Sequence, residues 1–141
     1  MQNKVFFLGD KNIFLSQPDE KELHTFYDAC QIFIMPAREV KEEVDKKTKR
    51  EAESFGTVFL EANLFRKPVI GGRSGGQADA IQDGISGLLV NPENEQEISQ
   101  AIIKLLADPD LAKRLGEQGR ERVLKDFQWP EQAQKIIKIL S

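Results

Sequence analysis

Short apolar runs alternate with amphipathic segments over the first two thirds of the chain. Four apolar runs bounded by glycine or proline are typical of buried strands, and they cover residues 4–9, 31–36, 68–72 and 86–92. Segments with helical spacing lie between them, at 18–30, 56–66 and 76–83. Strands that alternate with helices in this way predict a parallel sheet of about four strands, covered on both faces.

The last third of the chain contains no further strand pattern and predicts helices in series, at 94–108, 109–127 and 130–140. Pro109 and Pro130 stand at helix starts, where a missing amide is harmless. Gly116 and Gly119 are predicted weak points of the middle helix. The predicted fold is therefore α/β: a Rossmann-like, three-layer domain with a short parallel sheet and a C-terminal run of helices.

Composition narrows the classes of function. The chain has 141 residues, of which 40% are apolar and 30% charged, as expected for one soluble globular domain. A net charge of −3 gives no electrostatic case for nucleic acid or an anionic membrane. The sequence shows no leader or membrane-spanning run, and a single cysteine, Cys30, excludes an internal disulfide. A cytoplasmic location is the resulting prediction.

Several candidate sites have ordinary structural explanations. His24, the only histidine, is predicted to be an ordinary surface or boundary residue of the first helix, and Cys30 a small buried packing residue. The string Asp108-Pro109-Asp110 resembles a metal-binding Asp-x-Asp, but it falls between two helices, where Asp and Pro act as cap and start residues. We therefore predict no metal and no cofactor. The charged run at 38–53 is predicted to be a solvated loop.

A glycine-rich segment, GGRSGG at 71–76, follows one predicted strand and precedes a helix. Such turns offer backbone amides to anions, and open α/β sheets bind ligands at the carboxyl ends of their strands. Arg73, Gly75 and Gly76 are accordingly predicted as additional ligand contacts. The alternative is a tight turn that requires positive φ.

The segment ESFGTVFLEA (53–62) carries two carboxylates in apolar surroundings. An unpaired buried carboxylate is costly, so Glu61 either reaches the rim of the helix or faces a polar ligand such as a pair of sugar hydroxyls. Glu53 precedes the helix start, whose free amides suit a phosphate. Together they suit a sugar joined to a phosphate. The alternative leaves Glu53 as a capping acid and Glu61 as a rim residue.

The longer segment that contains both motifs has a recognisable order, with E-x7-E, A, K-P-V-I, S-G-G and D-G-x-S-G-L-L-V in succession. It closely resembles the donor-binding half of the family 4 retaining glycosyltransferases of the GT-B fold. The ending FQWPEQAQKIIKIL is similar to that family's closing Phe-x-Trp segment and last helix. The resemblance covers nearly the whole chain and implies that residues 1–141 form an incomplete C-terminal, donor-binding domain.

This resemblance implies roles for individual residues. Glu53 would hold hydroxyls of the donor hexose and act as the catalytic residue, and Glu61 would bind the ribose hydroxyls. Backbone amides are implied as the remaining donor contacts, those of Phe55 and Gly56 beside the sugar and those of Thr57 and Val58 at the diphosphate.

The implied reaction is retaining, metal-independent transfer of a hexose, mannose or glucose, from a UDP- or GDP-sugar to a glycan or lipid acceptor in polysaccharide biosynthesis. The family's N-terminal acceptor-binding domain has no counterpart here. Neither has the first strand and helix of the donor domain, with the Arg and Lys that clamp the diphosphate. The chain alone is therefore predicted to be inactive and to self-associate through the bared sheet edge. The complete enzyme would be cytoplasmic or peripheral to the inner face of the membrane.

Two alternatives remain at this stage. The first is a non-enzymatic module that senses a nucleotide sugar or docks on a partner chain. The second is a scaffold without a ligand, whose open sheet edge is covered by self-association. An acceptor domain encoded next to this chain would favour the transferase over both.

Overall fold

The structure, a computed structural model, describes residues 4–8, 11–15, 19–36, 58–73 and 75–126. The chain divides into two compact units, Met1–Gln31 and Ile32–Ser141. The predicted charged loop at 38–53 and the predicted last helix at 130–140 lie outside the described residues.

The first unit opens with two strands, β1 (Lys4–Leu8) and β2 (Lys11–Leu15), paired antiparallel. The pairing runs from Lys4 opposite Leu15 to Leu8 opposite Lys11. The predicted strand at 4–9 is confirmed, but its predicted place in the parallel sheet is wrong. A second apolar run follows after a connection too short for a crossover, and such short connections join antiparallel strands.

Helix α1 (Glu20–Ala29) completes the first unit and begins with a capping box. The Asp19 carboxylate accepts the Glu22 amide at 2.7 Å, and the Asp19 amide donates to the Glu22 carboxylate at 3.4 Å. At the other end, the Cys30 thiol is buried and donates to the Tyr27 carbonyl, which confirms the predicted packing role of the cysteine. His24 is half-buried beside Glu20, as a boundary residue would be.

The second unit contains a three-stranded parallel sheet of β3 (Phe33–Met35), β4 (Val69–Gly72) and β5 (Gly87–Val90) in that order. In register, Phe33 lies opposite Val69, and Val69 opposite Gly87. The predicted parallel α/β sheet is confirmed, with three strands in the described part of the chain. We call the two ends of this sheet the amino edge, where its strands start, and the carboxyl edge, where they end.

The described residues of this unit include four helices. They are α2 (58–64), α3 (Gly75–Ala80), α4 (Glu95–Ala107) and α5 (Pro109–Asp126). The last two confirm the predicted helices closely, whereas α3 ends before the predicted residue 83. Asp108 accepts the Leu111 amide at 3.1 Å and Pro109 opens α5, so Asp108-Pro109 is a helix junction as predicted. The described residues contain no cluster of side chains suited to a metal ion.

The sheet has apolar layers on both faces, which confirms the three-layer prediction. One face packs against α4 and α5 through Ile70, Val90, Ala101, Leu105 and Leu115. On the other face, the Phe59 ring of α2 meets Phe33 edge-on, with ring centroids 5.6 Å apart. A Cβ on Gly71 would lie 3.1 Å from that ring. Gly71 thus lets α2 lie close to β4. Because Phe59 lies beside the third residue of β4 while the end of α2 leads directly into the start of β4, the two elements run antiparallel.

Helix α5 crosses the amino edge and approaches the end of α2 through two glycines. A Cβ on Gly116 would collide with the Arg66 carbonyl, and one on Gly119 would lie 2.5 Å from the Asn63 side-chain nitrogen. The two glycines do not interrupt the helix, since α5 is continuous. They allow the two helices to approach, because side chains at these positions would separate α5 from α2.

The outer side of β5 is covered by the turn that precedes it. The Gly84 amide donates to the Gly87 carbonyl at 2.9 Å. The Asp83 carboxylate accepts the Leu89 amide at 3.0 Å. The chain therefore occupies the polar groups on this side of the sheet with its own loop.

Candidate active site

The carboxyl edge brings together several of the residues predicted from sequence. Val58 is the first described residue of α2, Arg73 directly follows β4, and Gly75 and Gly76 open α3. In a parallel sheet these positions share one edge, which is where α/β proteins bind ligands. The remaining predicted site residues, Glu53, Phe55, Gly56 and Thr57, lie outside the described residues.

Helix α2 has one buried and one partly exposed side. Its buried residues are Phe59, Ala62, Asn63 and Leu64, whereas Val58, Leu60 and Glu61 are half-buried. At 100° per residue, Glu61 lies about 200° around the helix from Phe59. Its carboxylate therefore belongs to the side that faces away from the sheet, where solvent or a polar ligand has access.

Arg73 is held at the carboxyl edge by two contacts. Its backbone amide donates to the Val90 carbonyl at 3.0 Å, and its Nη1 lies 2.6 Å from Oε1 of Glu97 in the first turn of α4. The Arg73 side chain is 55% exposed. Because Glu97 compensates the positive charge, the exposed remainder of the guanidinium suits hydroxyl or carbonyl groups better than a diphosphate.

Sequence reasoning missed Glu97 and Asn63. Glu97 pairs with Arg73 across two separate elements, and nothing in the linear pattern links them. Asn63 is completely buried in α2, and its Nδ2 donates to the carbonyls of Lys67 and Ser86 at 3.0 and 3.2 Å. A lone asparagine between apolar residues was the available signal. Its role is to tie the end of α2 to the turn before β5.

Comparison with known proteins places these features in a family. The family described as "Glycosyl transferases group 1" matches residues 4–122. A GDP-mannose-dependent alpha-(1-6)-phosphatidylinositol monomannoside mannosyltransferase of Mycolicibacterium smegmatis is 33% identical over 121 residues, which are 86% of this chain and 30% of that protein. The chain thus spans less than a third of the length of this relative.

Solved structures of glycosyltransferases share the fold of this chain. Sucrose-phosphate synthase from Thermosynechococcus elongatus superposes with a TM-score of 0.68 and 29% identity, over 90% of this chain and 29% of that one. The C-terminal domain of a glycosyl transferase group 1 family protein (LpcC) from Francisella tularensis gives 0.63 at 22% identity, over 83% of this chain and 52% of that one. In the described part of the chain, no helix is both long and apolar enough to cross a bilayer. The chain belongs to the group 1 glycosyltransferases and has an α/β architecture of the GT-B type.

Proposed function

We propose that this chain is the donor-binding part of a retaining, metal-independent hexosyltransferase of family 4. The complete enzyme moves mannose or glucose from a GDP- or UDP-sugar to a glycan or lipid acceptor. The ordered E-x7-E motif supports this proposal, as does a 33% identical relative whose name states dependence on GDP-mannose.

The observation that carries the proposal is the placement of α2. Glu61 is half-buried, lies opposite the buried Phe59 around the helix, and follows three residues after Val58, the first described residue of α2. One helical turn, about 5 Å along the axis, separates the two residues. A ligand with its diphosphate at the start of α2 and its ribose beside the first turn therefore reaches both.

In this mechanism, Glu53 holds the hexose hydroxyls, and the amides of Phe55 and Gly56 lie beside the sugar. Transfer passes through an oxocarbenium-like state while the nucleoside diphosphate leaves. The amides of Thr57 and Val58 stabilise the charge that develops on the leaving phosphate, so no metal is required. Glu61 accepts hydrogen bonds from the ribose and fixes the nucleotide.

The test compares three glutamate substitutions in the complete enzyme. Glu61→Ala weakens the binding of nucleoside diphosphate and of nucleotide sugar alike. The expected loss of binding free energy is about 1.5–3 kcal/mol, as for a lost charged hydrogen-bonding partner. Glu53→Ala leaves diphosphate affinity nearly intact but cuts turnover severely, because its contact strengthens as the sugar becomes cationic. Glu117→Ala, on the exposed side of α5, is the control.

Calorimetry with diphosphate and with donor, together with steady-state kinetics, distinguishes these outcomes. If Glu53→Ala weakens the binding of nucleoside diphosphate as much as Glu61→Ala does, the assigned roles are wrong. If both behave like Glu117→Ala, the carboxylates are ordinary helix residues and the proposed site fails.

A further inference from the structure

Two helices on one face of the sheet, α2 and α3, are short as far as the structure describes them. The described part of α2 covers 58–64, and α3 covers Gly75–Ala80. Helices of this length are marginal in isolation, so tertiary contacts determine whether they form and where they point. Both end at the amino edge, where their last carbonyls require partners from outside the helix.

At the end of α2, backbone amides of the residues that directly follow the helix bind all but one of these carbonyls. The Lys67 amide donates to Ala62 at 3.1 Å and the Arg66 amide to Asn63 at 2.9 Å, with Arg66 in the left-handed region at φ 61°. This is the Schellman arrangement, here with arginine in place of glycine. The Leu64 carbonyl accepts from Nη1 of Arg120 at 2.6 Å instead.

At the end of α3, a second arginine of α5 makes the same kind of contact. Nη1 of Arg122 donates to the Ala80 carbonyl at 2.7 Å, and Nη2 donates to the Asp79 carbonyl at 3.2 Å. A cation at a helix C-terminus satisfies the carbonyls and complements the helix dipole. One helix thus caps two others.

Burial of the first arginine has an electrostatic cost. Arg120 is only 8% exposed, and desolvation, with repulsion from Arg66, lowers its pKa. Gly116 and Gly119 bring α5 close enough for the contact. An apolar residue would fill the same space without the charge, but it would leave the Leu64 carbonyl without this donor.

We infer that Arg120 and Arg122 are positioning residues of the donor site: by holding the ends of α2 and α3 at the amino edge, they fix the direction in which both helices start at the carboxyl edge. This inference rests on the proposed function for its catalytic consequence. The described part of α2 is about 10 Å long, so a shift at its end reorients its start. A misplacement of about 1 Å in an active site can reduce turnover by about a hundredfold.

The first experiment uses this 141-residue chain without a ligand. Amide hydrogen exchange is measured for Arg120→Met and Arg122→Met, and for Arg114→Met, which makes the same change at an exposed position of α5. We expect amide exchange to become at least tenfold faster in α2 for Arg120→Met and in α3 for Arg122→Met. Arg114→Met should leave the exchange rates of both helices unchanged. A core change on the opposite face, Ile102→Val, controls for general loss of stability.

Two results would overturn the inference at this stage. One is unchanged exchange in α2 and α3. The other is a rise in exchange rate that Ile102→Val reproduces when it lowers the melting temperature by the same amount as the arginine variant. The effect would then come from a global loss of stability. Neither result depends on nucleotide-sugar binding, so the inference and the proposed function fail separately.

The second experiment measures kinetics in the complete enzyme. We expect Arg122→Met to lower kcat about tenfold while the donor KM changes less than about twofold, because Arg122 holds α3 and a displaced active-site segment costs most in the transition state. Arg122→Lys, which keeps the positive charge and one donor nitrogen, should recover part of the lost kcat. Unaltered kcat in variants whose exchange has risen would contradict the positioning role. Absence of transfer by the unmodified enzyme would count against the proposed function only.

Discussion

The two edges of the parallel sheet use polar residues in opposite ways. At the carboxyl edge, the Arg73 side chain is more than half exposed. At the amino edge, Asn63 and Arg120 are buried and bound to backbone carbonyls. The carboxyl edge leaves a charged side chain exposed, whereas the amino edge uses its polar side chains to hold helices in place. Substitutions at the amino edge should therefore lower stability and, at the two capping arginines, also turnover, whereas those at the carboxyl edge should change mainly binding and turnover.

The largest expected effect concerns the carboxyl edge as one half of a site. We predict that residues 1–141 alone transfer no sugar, since donor and acceptor must be held together for the reaction. Product formation is measured with GDP- and UDP-hexoses over a panel of glycan and lipid acceptors. Acceptor-dependent turnover by the purified chain would show that the edge is sufficient by itself.

The next largest effect concerns the helix contact at the amino edge. Gly119→Ala places a Cβ 2.5 Å from Nδ2 of Asn63, which cannot move without losing its bonds to two carbonyls. Overpacking of this kind costs about 1–3 kcal/mol. Urea unfolding measures the loss, with the exposed neighbour Gln118→Ala as control. Equal stabilities of the two variants would mean that α5 does not approach α2 closely.

A smaller effect of opposite sign is expected at Arg66. Its left-handed backbone, φ 61°, disfavours any residue with a Cβ, and its charge repels Arg120. Arg66→Gly should raise the free energy of unfolding by about 0.5–1 kcal/mol. Arg114→Gly, in the interior of α5, should lower it by about 1 kcal/mol. A loss of stability in both variants would refute the strained cap.

The smallest effect on stability is expected at the carboxyl edge. Despite its 2.6 Å separation, the Arg73–Glu97 pair is largely exposed on the arginine side, and such pairs contribute about 0.2–1 kcal/mol. A double-mutant cycle with Arg73→Ala and Glu97→Ala measures the coupling. A coupling well above 1 kcal/mol would remove the contrast between the two edges.

The elements with strong local signals were predictable from sequence. Helix α4 has clear periodicity and an Asn94 cap that accepts the Glu97 amide, and the glycine-bounded strands β4 and β5 fall within the predicted runs. The antiparallel partner of β1 was missed, because the short apolar run at 11–15 was not among the predicted strands. The place of Arg73 directly after β4 followed from the predicted alternation of strands and helices.

The amino-edge contacts were not predictable, because they join distant parts of the chain. Arg120 bonds a carbonyl 56 positions earlier, and a carbonyl acceptor leaves no trace in residue identity. The same applies to Gly119, since a glycine in a helix looks like a weakness until its neighbour is known. Motifs identify groups that face ligands, whereas backbone-directed contacts appear only in three dimensions.

The turn that covers β5 has a consequence for how this protein behaves at high concentration. Exposed strand edges template the addition of further strands, in aggregates and in amyloid. Here the Gly87 carbonyl and the Leu89 amide already bond to Gly84 and Asp83. Growth of a stacked sheet from this side would first require both bonds to break, so the turn acts as a built-in gatekeeper against fibril formation.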